Sequence, residues 1–313
     1  MNKRAELEFS GGAFHLDRST IQHLRFPFSF LLMPVFFLGL SDLLQHHPYP
    51  SLPWGTLVLA FLILHVLVYP SSNGYNSWCD QDEGPIGGIL QPLPASRQLR
   101  AVSLLFDIAA LLAGGLLISP TWALGLLAYI IASRAYSYPR IRLKSRPWLG
   151  WLTVVLFQGP WILGLVRLAA GQPPLPSLTL VLASALLFGG SYPITQIYQH
   201  EEDQRRGDLT LSRHLGVRGT LLFSVLTSGL GLILLLAPWV QSQLHAQLAL
   251  FAAVFFLASI PLIQLVSKVL RDPHFIHSGP PAARAVYQAS WALSAGLSAI
   301  FLGHSLMAAL KSL

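Results

Sequence analysis

The sequence predicts an all-α, polytopic membrane protein with about nine transmembrane helices. Of its 313 residues, 53% are hydrophobic and only 11% are charged, whereas soluble domains are less apolar and about twice as charged. The apolar residues form blocks of about 20 residues, the length that crosses a bilayer as a helix. A single membrane domain over residues 27–313, preceded by a short cytoplasmic segment over 1–26, explains the chain better than two soluble domains.

The predicted spans follow one another to the end of the chain, and each is an apolar block bounded by polar or charged residues. The third and fourth spans are separated only by a turn around Ser119 and Pro120. The nine spans are predicted at 27–45, 52–70, 101–118, 120–138, 148–168, 175–198, 217–239, 244–267 and 284–310.

The basic residues give an independent check on this count. If the N-terminus is cytoplasmic, every lysine and arginine except Arg167 and Lys311 falls in a segment on the cytoplasmic side, which is the distribution found in membrane proteins. The net charge of +7 then needs no nucleic-acid partner, because basic loops face anionic lipid headgroups. No signal or transit peptide is evident in the first 25 residues, so we expect a bacterial inner-membrane protein.

The acidic residues concentrate in two short stretches, each directly after a span that runs towards the cytoplasm. The first stretch holds Asp80, Asp82 and Glu83, and the second holds Glu201, Glu202, Asp203 and Asp208. Crowded carboxylates need a cation or a basic partner, and oxygen ligands suit Mg²⁺, which usually binds together with substrate phosphates. We expect the two stretches to face each other and to hold a diphosphate. The alternative is that both are solvated loop charges.

Each stretch also has a helical spacing of polar residues. Asn76 and Asp80 are four residues apart in N-S-W-C-D-Q-D-E-G, and Gln199 and Asp203 are four apart in Q-H-E-E-D-Q-R-R-G-D-L-T. Residues four apart share one face of a helix. The first pair therefore lies on one face if the second helix continues past Pro70.

These residues resemble the UbiA superfamily of intramembrane prenyltransferases, whose first motif reads N-D-x-x-D-x-x-x-D and whose second reads D-x-x-x-D followed by G-x-x-T. The matching positions are Asn76, Asp80, Asp203, Gly207 and Thr210, while Ser77, Gly84 and Gln199 stand where the family has aspartate. A third stretch, Y-S-Y-P-R-I-R-L-K at 136–144, is similar to the family segment Y-S-x-P-x-x-x-K. The resemblance covers nearly the whole chain in span count, motif order and spacing.

The resemblance implies helices around a central cavity and Mg²⁺-dependent transfer of a prenyl group from a polyprenyl diphosphate to an acceptor, with release of diphosphate. The acceptor is expected to be an aromatic quinone precursor or another lipid, as in quinone biosynthesis. The expected metal ligands are Asp80, Asp82, Glu83, Gln199, Glu202 and Asp203. The expected diphosphate-binding residues are Asn76, Tyr136, Arg140, Arg142, Lys144 and Arg206, and Lys144 is also expected to act in catalysis.

One further acid, Asp107, lies about two turns into the third span. A carboxylate inside a membrane is costly and is a functional hypothesis by default. We expect Asp107 to orient or deprotonate the acceptor, as a second catalytic residue. The alternative is a structural pair with Arg134 or with a histidine of a neighbouring helix.

A different class of function is a transporter, or a relative that binds a prenyl lipid without chemistry. Transporters place ionisable residues near the bilayer midplane on broken helices, whereas here the acids cluster at one membrane face. A CDP-alcohol phosphotransferase would also use Mg²⁺, but its D-G-x-x-A-R signature is not found in the sequence. The enzyme is therefore the favoured prediction.

Overall fold

The computed structural model describes residues 16–241 and 245–311. Most of the predicted cytoplasmic segment, residues 1–15, lies outside this part of the chain. The described residues form helices and connecting loops, and their only extended pairing is a single bridge between Ile86 and Ile89. The all-α prediction is confirmed.

Nine long helical segments follow one another in the described residues. They are α1 (Arg18–His46), α2 (Trp54–Asp80), α3 (Leu99–Leu117), α4 (Pro120–Ser137), α5 (Pro147–Ala169), α6 (Leu178–Arg206), α7 (Leu211–Gln241), α8 (His245–Arg271) and α9 (Pro280–Lys311). Eight of the nine, all except α4, are long and apolar enough to cross a membrane. Their outer faces expose large apolar side chains such as Leu116, Leu226 and Phe256, as contact with lipid tails requires.

Helix α2 runs through Pro70 to Asp80, which is the continuation that the polar spacing required. Proline has no N–H and its ring clashes with the carbonyl four residues earlier in an α-helix. A wider π-helical turn over Ile63–Val68 precedes Pro70, and such turns accommodate a local break in the helical pattern. Asn76 and Asp80 therefore lie on one helix, as predicted, and Asp80 is its last residue.

Helices α1 and α6 are interrupted close to the end of the bundle where α2 ends. In α1 the backbone of Arg25 is left-handed, with a φ of 51°, and the next helical piece, Phe26–Ser29, has Pro27 in its first turn. In α6 a short 3₁₀ turn over Ile197–Gln199 leads into the helical piece His200–Arg206. Gly207 then ends α6 with a φ of 76°, which suits glycine because it has no Cβ.

The helices pack in a ring in which α9 lies against both α1 and α8, and α6 lies against both α5 and α7. The contact between α6 and α7 is close because of glycine: a Cβ on Gly190 would lie 2.7 Å from the carbonyl oxygen of Ser224. Small residues allow this approach between membrane helices. The ring leaves a cavity at the end of the bundle where α2 and α6 end, which we call the motif end.

Candidate active site

A cavity of about 210 Å³ opens at the motif end. Residues of all three predicted motifs line it, although they lie far apart in the sequence. They include Asn76, Asp80 and Asp82 from the first motif, Tyr136 and Lys144 from the third, and Gln199, Asp203, Arg206 and Thr210 from the second. The prediction that the two acidic stretches face each other is thereby confirmed.

Asp80 lies in the wall of this cavity and is buried. Its Oδ2 accepts a hydrogen bond from the ammonium group of Lys144, which is also buried. Its Oδ1 lies 3.3 Å from Nη2 of Arg142 but has no hydrogen bond among the described residues. A buried carboxylate oxygen without a hydrogen bond is costly, and the nearby guanidinium of Arg142 offsets part of that cost.

The loop that carries Lys144 is fixed by a second ion pair. Nε and Nη2 of Arg142 donate to the two carboxylate oxygens of Asp208, each at 2.6 Å. The hydrogen bonds to Asp208 raise the pKa of the Arg142 guanidinium above its ordinary value. Because such bidentate pairs are strong and directional, Arg142 anchors the third motif to the start of α7 from behind the cavity wall.

Asp203 differs from the other acids of the cavity because it has no ion-pair partner within 4.0 Å in the described part of the chain. Its Oδ2 accepts a hydrogen bond of 3.3 Å from the hydroxyl group of Thr210, the residue that matches the threonine of the second motif. The carboxylate is thus oriented but not neutralised. It is the acid of the cavity that is most available to a metal cation.

Asp82 follows α2 in the loop and is buried in the cavity wall. Its carboxylate pairs with Arg206, which also donates to Glu202 at 2.6 Å. Burial, and next the negative charge of Asp80, raise the pKa of Asp82. The ion pair with Arg206 opposes this shift and joins the first motif to the second.

Asn76 and Tyr136, two of the predicted diphosphate-binding residues, lie deeper in the same cavity. The Asn76 amide donates to the hydroxyl group of Ser137 at 2.9 Å. The hydroxyl group of Tyr136 hydrogen-bonds that of Tyr192, which in turn accepts from the Gln196 amide at 2.9 Å. These bonds fix the positions of polar groups along an otherwise aromatic wall.

Other predicted site residues lie outside the cavity wall. Glu83 and Arg140 are exposed to solvent, and neither they nor Glu202 and Arg142 line the cavity. Gln199 does line it, but its amide nitrogen is held by the carbonyl oxygen of Pro85 at 3.3 Å. The acidic composition of a stretch therefore does not by itself show which of its side chains turn inward.

Asp107 is buried inside the bundle and does not line the cavity. One carboxylate oxygen accepts from the Ser71 hydroxyl at 2.7 Å, and the other accepts from Nε of Arg134 at 3.1 Å. Arg134 also lies over the ring of Tyr75, 4.3 Å from its centroid. These contacts agree with the alternative of a structural pair with Arg134 and lend no support to a catalytic role.

Sequence reasoning missed Arg25, which lines the cavity and is buried. Its Nη2 donates to the Asn73 carbonyl at 2.9 Å, while its Nε has no partner among the described residues. The signal was present, since Arg25 lies at the inner end of the first predicted span. There it was counted only as one of the positive charges that set the orientation of the helix.

Within the described residues, no three Asp, Glu, His or Cys side chains are close enough to form a metal site by themselves. Asp80, Asp82 and Asp203 nevertheless line one cavity with carboxylate oxygens. Mg²⁺ is usually bound by one or two carboxylates, with water and substrate phosphates completing its shell. The side chains present therefore fit a Mg²⁺ ion that binds together with a diphosphate.

The chain is similar in sequence to known prenyltransferases. The model of the UbiA prenyltransferase family matches residues 31–277. The 33 kDa chain of bacteriochlorophyll synthase from Cereibacter sphaeroides is 27% identical over 236 residues, which cover 72% of this chain and 75% of that protein.

Two solved structures have a similar fold at low sequence identity. A UbiA homolog from Aeropyrum pernix K1 aligns with a TM-score of 0.62 and 17% identity, over 89% of this chain and 98% of that chain. A UbiA homolog from Archaeoglobus fulgidus, bound to DMAPP and Mg²⁺, aligns with a TM-score of 0.58 and 17% identity, over 93% and 99% of the two chains.

Proposed function

The chain belongs to the UbiA prenyltransferase family, and on that premise we propose that it transfers a prenyl group from a polyprenyl diphosphate to a lipid-soluble acceptor, with Mg²⁺ as its cofactor. The observation that carries the proposal is that three motifs from distant parts of the chain line one cavity. The UbiA homolog from Archaeoglobus fulgidus that is bound to DMAPP and Mg²⁺ gives independent support.

The residues of the cavity suit departure of a diphosphate group. When the carbon–oxygen bond of the donor breaks, negative charge grows on the diphosphate and must be stabilised where it develops. Asp80, Asp82 and Asp203 would hold a Mg²⁺ ion, which would supply part of that stabilisation. Lys144 contributes its ammonium group, which Asp80 holds in place, and Arg206 lines the same cavity.

The other product of this step is an allylic cation, which must be kept from water until the acceptor attacks. The inner part of the cavity is lined by the aromatic rings of Tyr129, Tyr136, Phe157 and Tyr192. The faces of aromatic rings attract cations, and a closed apolar wall limits the access of water. Transfer is complete when the acceptor forms a bond to the prenyl carbon and loses a proton.

For the acceptor we keep two candidates. The sequence resemblance favours an aromatic quinone precursor or another lipid. The similarity to a bacteriochlorophyll synthase chain favours a chlorophyllide-type acceptor, which is a large ring molecule. Both are lipid-soluble molecules that reach a membrane-embedded site from the bilayer.

For location we propose the bacterial inner membrane, with the N-terminus and the motif end on the cytoplasmic side. The basic side chains of the motif loops support this orientation, because positive residues are retained on that side. Arg167, a basic residue predicted on the other side, lies at the opposite end of the bundle, where it pairs with Asp42 at 2.5 Å. This partner neutralises a charge that would otherwise be out of place.

The test is a reaction of the purified protein in detergent with prenyl diphosphates of several lengths. Hydroxybenzoate, naphthoate and chlorophyllide-type acceptors would be offered separately, with a lipid extract as a further pool. We expect diphosphate release and a prenylated product, identified by mass spectrometry, that both disappear with EDTA. Binding of prenyl diphosphates without any product across the panel would instead favour the non-catalytic relative.

A further inference from the structure

Gly84 stands where the first family motif has its last aspartate, and the structure shows why a side chain is absent there. A Cβ on Gly84 would lie 2.8 Å from Oε2 of Glu202, and among the described residues other than 83–85 only Glu202 would lie within 4 Å of it. The backbone of Gly84 is not among the left-handed glycines. A side chain at this position would thus displace the Glu202 carboxylate from the place that it occupies, whereas the backbone conformation does not call for glycine.

The Glu202 carboxylate is held in that space by three donors. Its Oε1 accepts the backbone N–H groups of Glu83 at 3.0 Å and of Gly84 at 3.5 Å. The same oxygen accepts from Nη2 of Arg206 at 2.6 Å. Only 12% of the Glu202 side chain is exposed, and hydrogen bonds to a charged group that is shielded from water are strong.

Arg206 extends this contact to the cavity. While Nη2 of Arg206 binds Glu202, its Nη1 binds the carboxylate of Asp82. Asp82 lines the cavity, whereas Glu202 does not. The order Glu202, Arg206, Asp82 is therefore a chain of alternating charges that ends at the cavity wall.

Gln199 makes a second tie between the same two segments. Its amide nitrogen donates to the carbonyl oxygen of Pro85 at 3.3 Å. Gln199 also stands where the family has an aspartate, and an aspartate could not donate this bond once ionised. Two side chains of the second motif thus bind the backbone of residues 83–85 through three hydrogen bonds, two of which involve a position, 84 or 199, where this chain departs from the family pattern.

We infer that Glu202 is a positioning residue for Asp82, and that it occupies the space which the family aspartate at position 84 would need. It holds the loop by the N–H of Glu83 and orients Asp82 through Arg206. Gly84 and Gln199, which both stand where the family has aspartate, then act together to fix the loop at residues 83–85. They are not two independent losses of a metal ligand. The inference rests on the proposed function only in assigning Asp82 to the Mg²⁺–diphosphate site.

The test is a double-mutant cycle on Gly84→Ala and Glu202→Ala, because coupling between neighbouring residues appears as non-additivity. Hydrogen exchange of the backbone amides at 81–90 would be followed by mass spectrometry, and the Mg²⁺ concentration for half-maximal rate would be measured in parallel. Glu201→Ala is the matched control, since Glu201 is an exposed neighbour that contacts His277.

We expect each single variant to speed exchange at residues 83 and 84 by about tenfold or more, the size of effect that loss of a charged hydrogen-bond acceptor gives. The half-maximal Mg²⁺ concentration should rise, with a smaller change in the rate at saturating Mg²⁺. In the double variant, the exchange rate and the half-maximal Mg²⁺ concentration should be no higher than in Glu202→Ala alone, because the alanine at 84 then meets no carboxylate. Glu201→Ala should match the unmodified protein.

The inference would be overturned if amide exchange at residues 83 and 84 were unchanged in Glu202→Ala. It would also be overturned if the effects of the two single substitutions simply added in the double variant. If Glu202→Ala does not fold, Glu202→Gln replaces it: the amide oxygen still accepts from Glu83, but the charge opposite Arg206 is lost. In Glu202→Gln the amides of residues 83 and 84 should exchange slowly, as in the unmodified protein, but the half-maximal Mg²⁺ concentration should be higher. Absence of any prenylated product with the unmodified protein would contradict the proposed function, yet the exchange measurements would still decide the role of Glu202.

Discussion

Asp80 at the motif end and Asp107 inside the bundle are both buried carboxylates paired with a base from another part of the chain. Only 4% of the Asp80 side chain and 8% of the Asp107 side chain are exposed. They differ in how completely they are bonded. Both oxygens of Asp107 accept hydrogen bonds, whereas Oδ1 of Asp80 has none among the described residues and Asp80 faces a cavity.

This difference separates a structural ion pair from a binding site. Burial and a basic partner are common to both, so neither indicates function. An oxygen without a hydrogen bond, on a residue that lines a cavity, does, because buried polar groups in folded proteins normally have partners. The rule that an acid inside a membrane is functional by default therefore applies to Asp80 better than to Asp107.

The largest effect should come from removing the charge at the unbonded oxygen. Asp80→Asn should lower the rate of diphosphate release by about 100- to 1000-fold, the loss found when one group that stabilises transition-state charge is removed. The unfolding temperature should also fall, since Lys144 loses its buried counter-charge, so the rate is compared per folded molecule. A rate close to that of the unmodified protein would show that the Asp80–Lys144 pair is structural, like the pair of Asp107 and Arg134.

Two of the three predicted basic residues of the third motif sharpen the same distinction. Lys144 lines the cavity and Arg140 is exposed outside it. Lys144→Met should lower diphosphate release by about 100-fold, while Arg140→Met, the matched control, should stay within about twofold because an exposed charge contributes little. Equal losses in both variants would show that the loop acts through its total charge.

Asp107→Asn should act on stability more than on turnover. Breaking a buried pair leaves the Arg134 guanidinium without its counter-charge, which costs about 3 kcal/mol, measured as a lower free energy of unfolding in detergent. Turnover per folded molecule and the acceptor profile should change little. If acceptor choice changed while stability did not, the catalytic role first predicted for Asp107 would be restored.

Much of the fold could be predicted from the sequence because span length and charge bias are local signals. The nine helices and the turn at Ser119 are confirmed, and α2, whose predicted span ended at 70, continues to Asp80 and so meets the condition that the polar spacing set. The ends of α1 and α6 were not predicted, since both helices extend into polar sequence beyond the apolar block. There they are stabilised by contacts between segments, such as the bond from Ser19 to Pro94, which hydropathy does not detect.

The three motifs of the site could be predicted from the sequence, but the contacts between their side chains could not. Which acid pairs with which base depends on the distances between helices, so the motif could single out Asp203 but could not show that it is unpaired among the described residues while Asp208 pairs with Arg142. Arg25 is a similar case, because its charge fits the positive-inside pattern whether or not its side chain turns inward. The exposure of Glu83 beside the buried Asp82 depends on the loop being held by Glu202.

The most direct test of the central claim, that the motif end binds a metal with a diphosphate, is Mn²⁺ binding measured by electron paramagnetic resonance with inorganic pyrophosphate as the second ligand. The unmodified protein should bind Mn²⁺ much more tightly when pyrophosphate is present. Asp203→Asn should abolish this gain, and Asp107→Asn should retain it. Equal binding by all three proteins, or a loss in Asp107→Asn alone, would contradict the account.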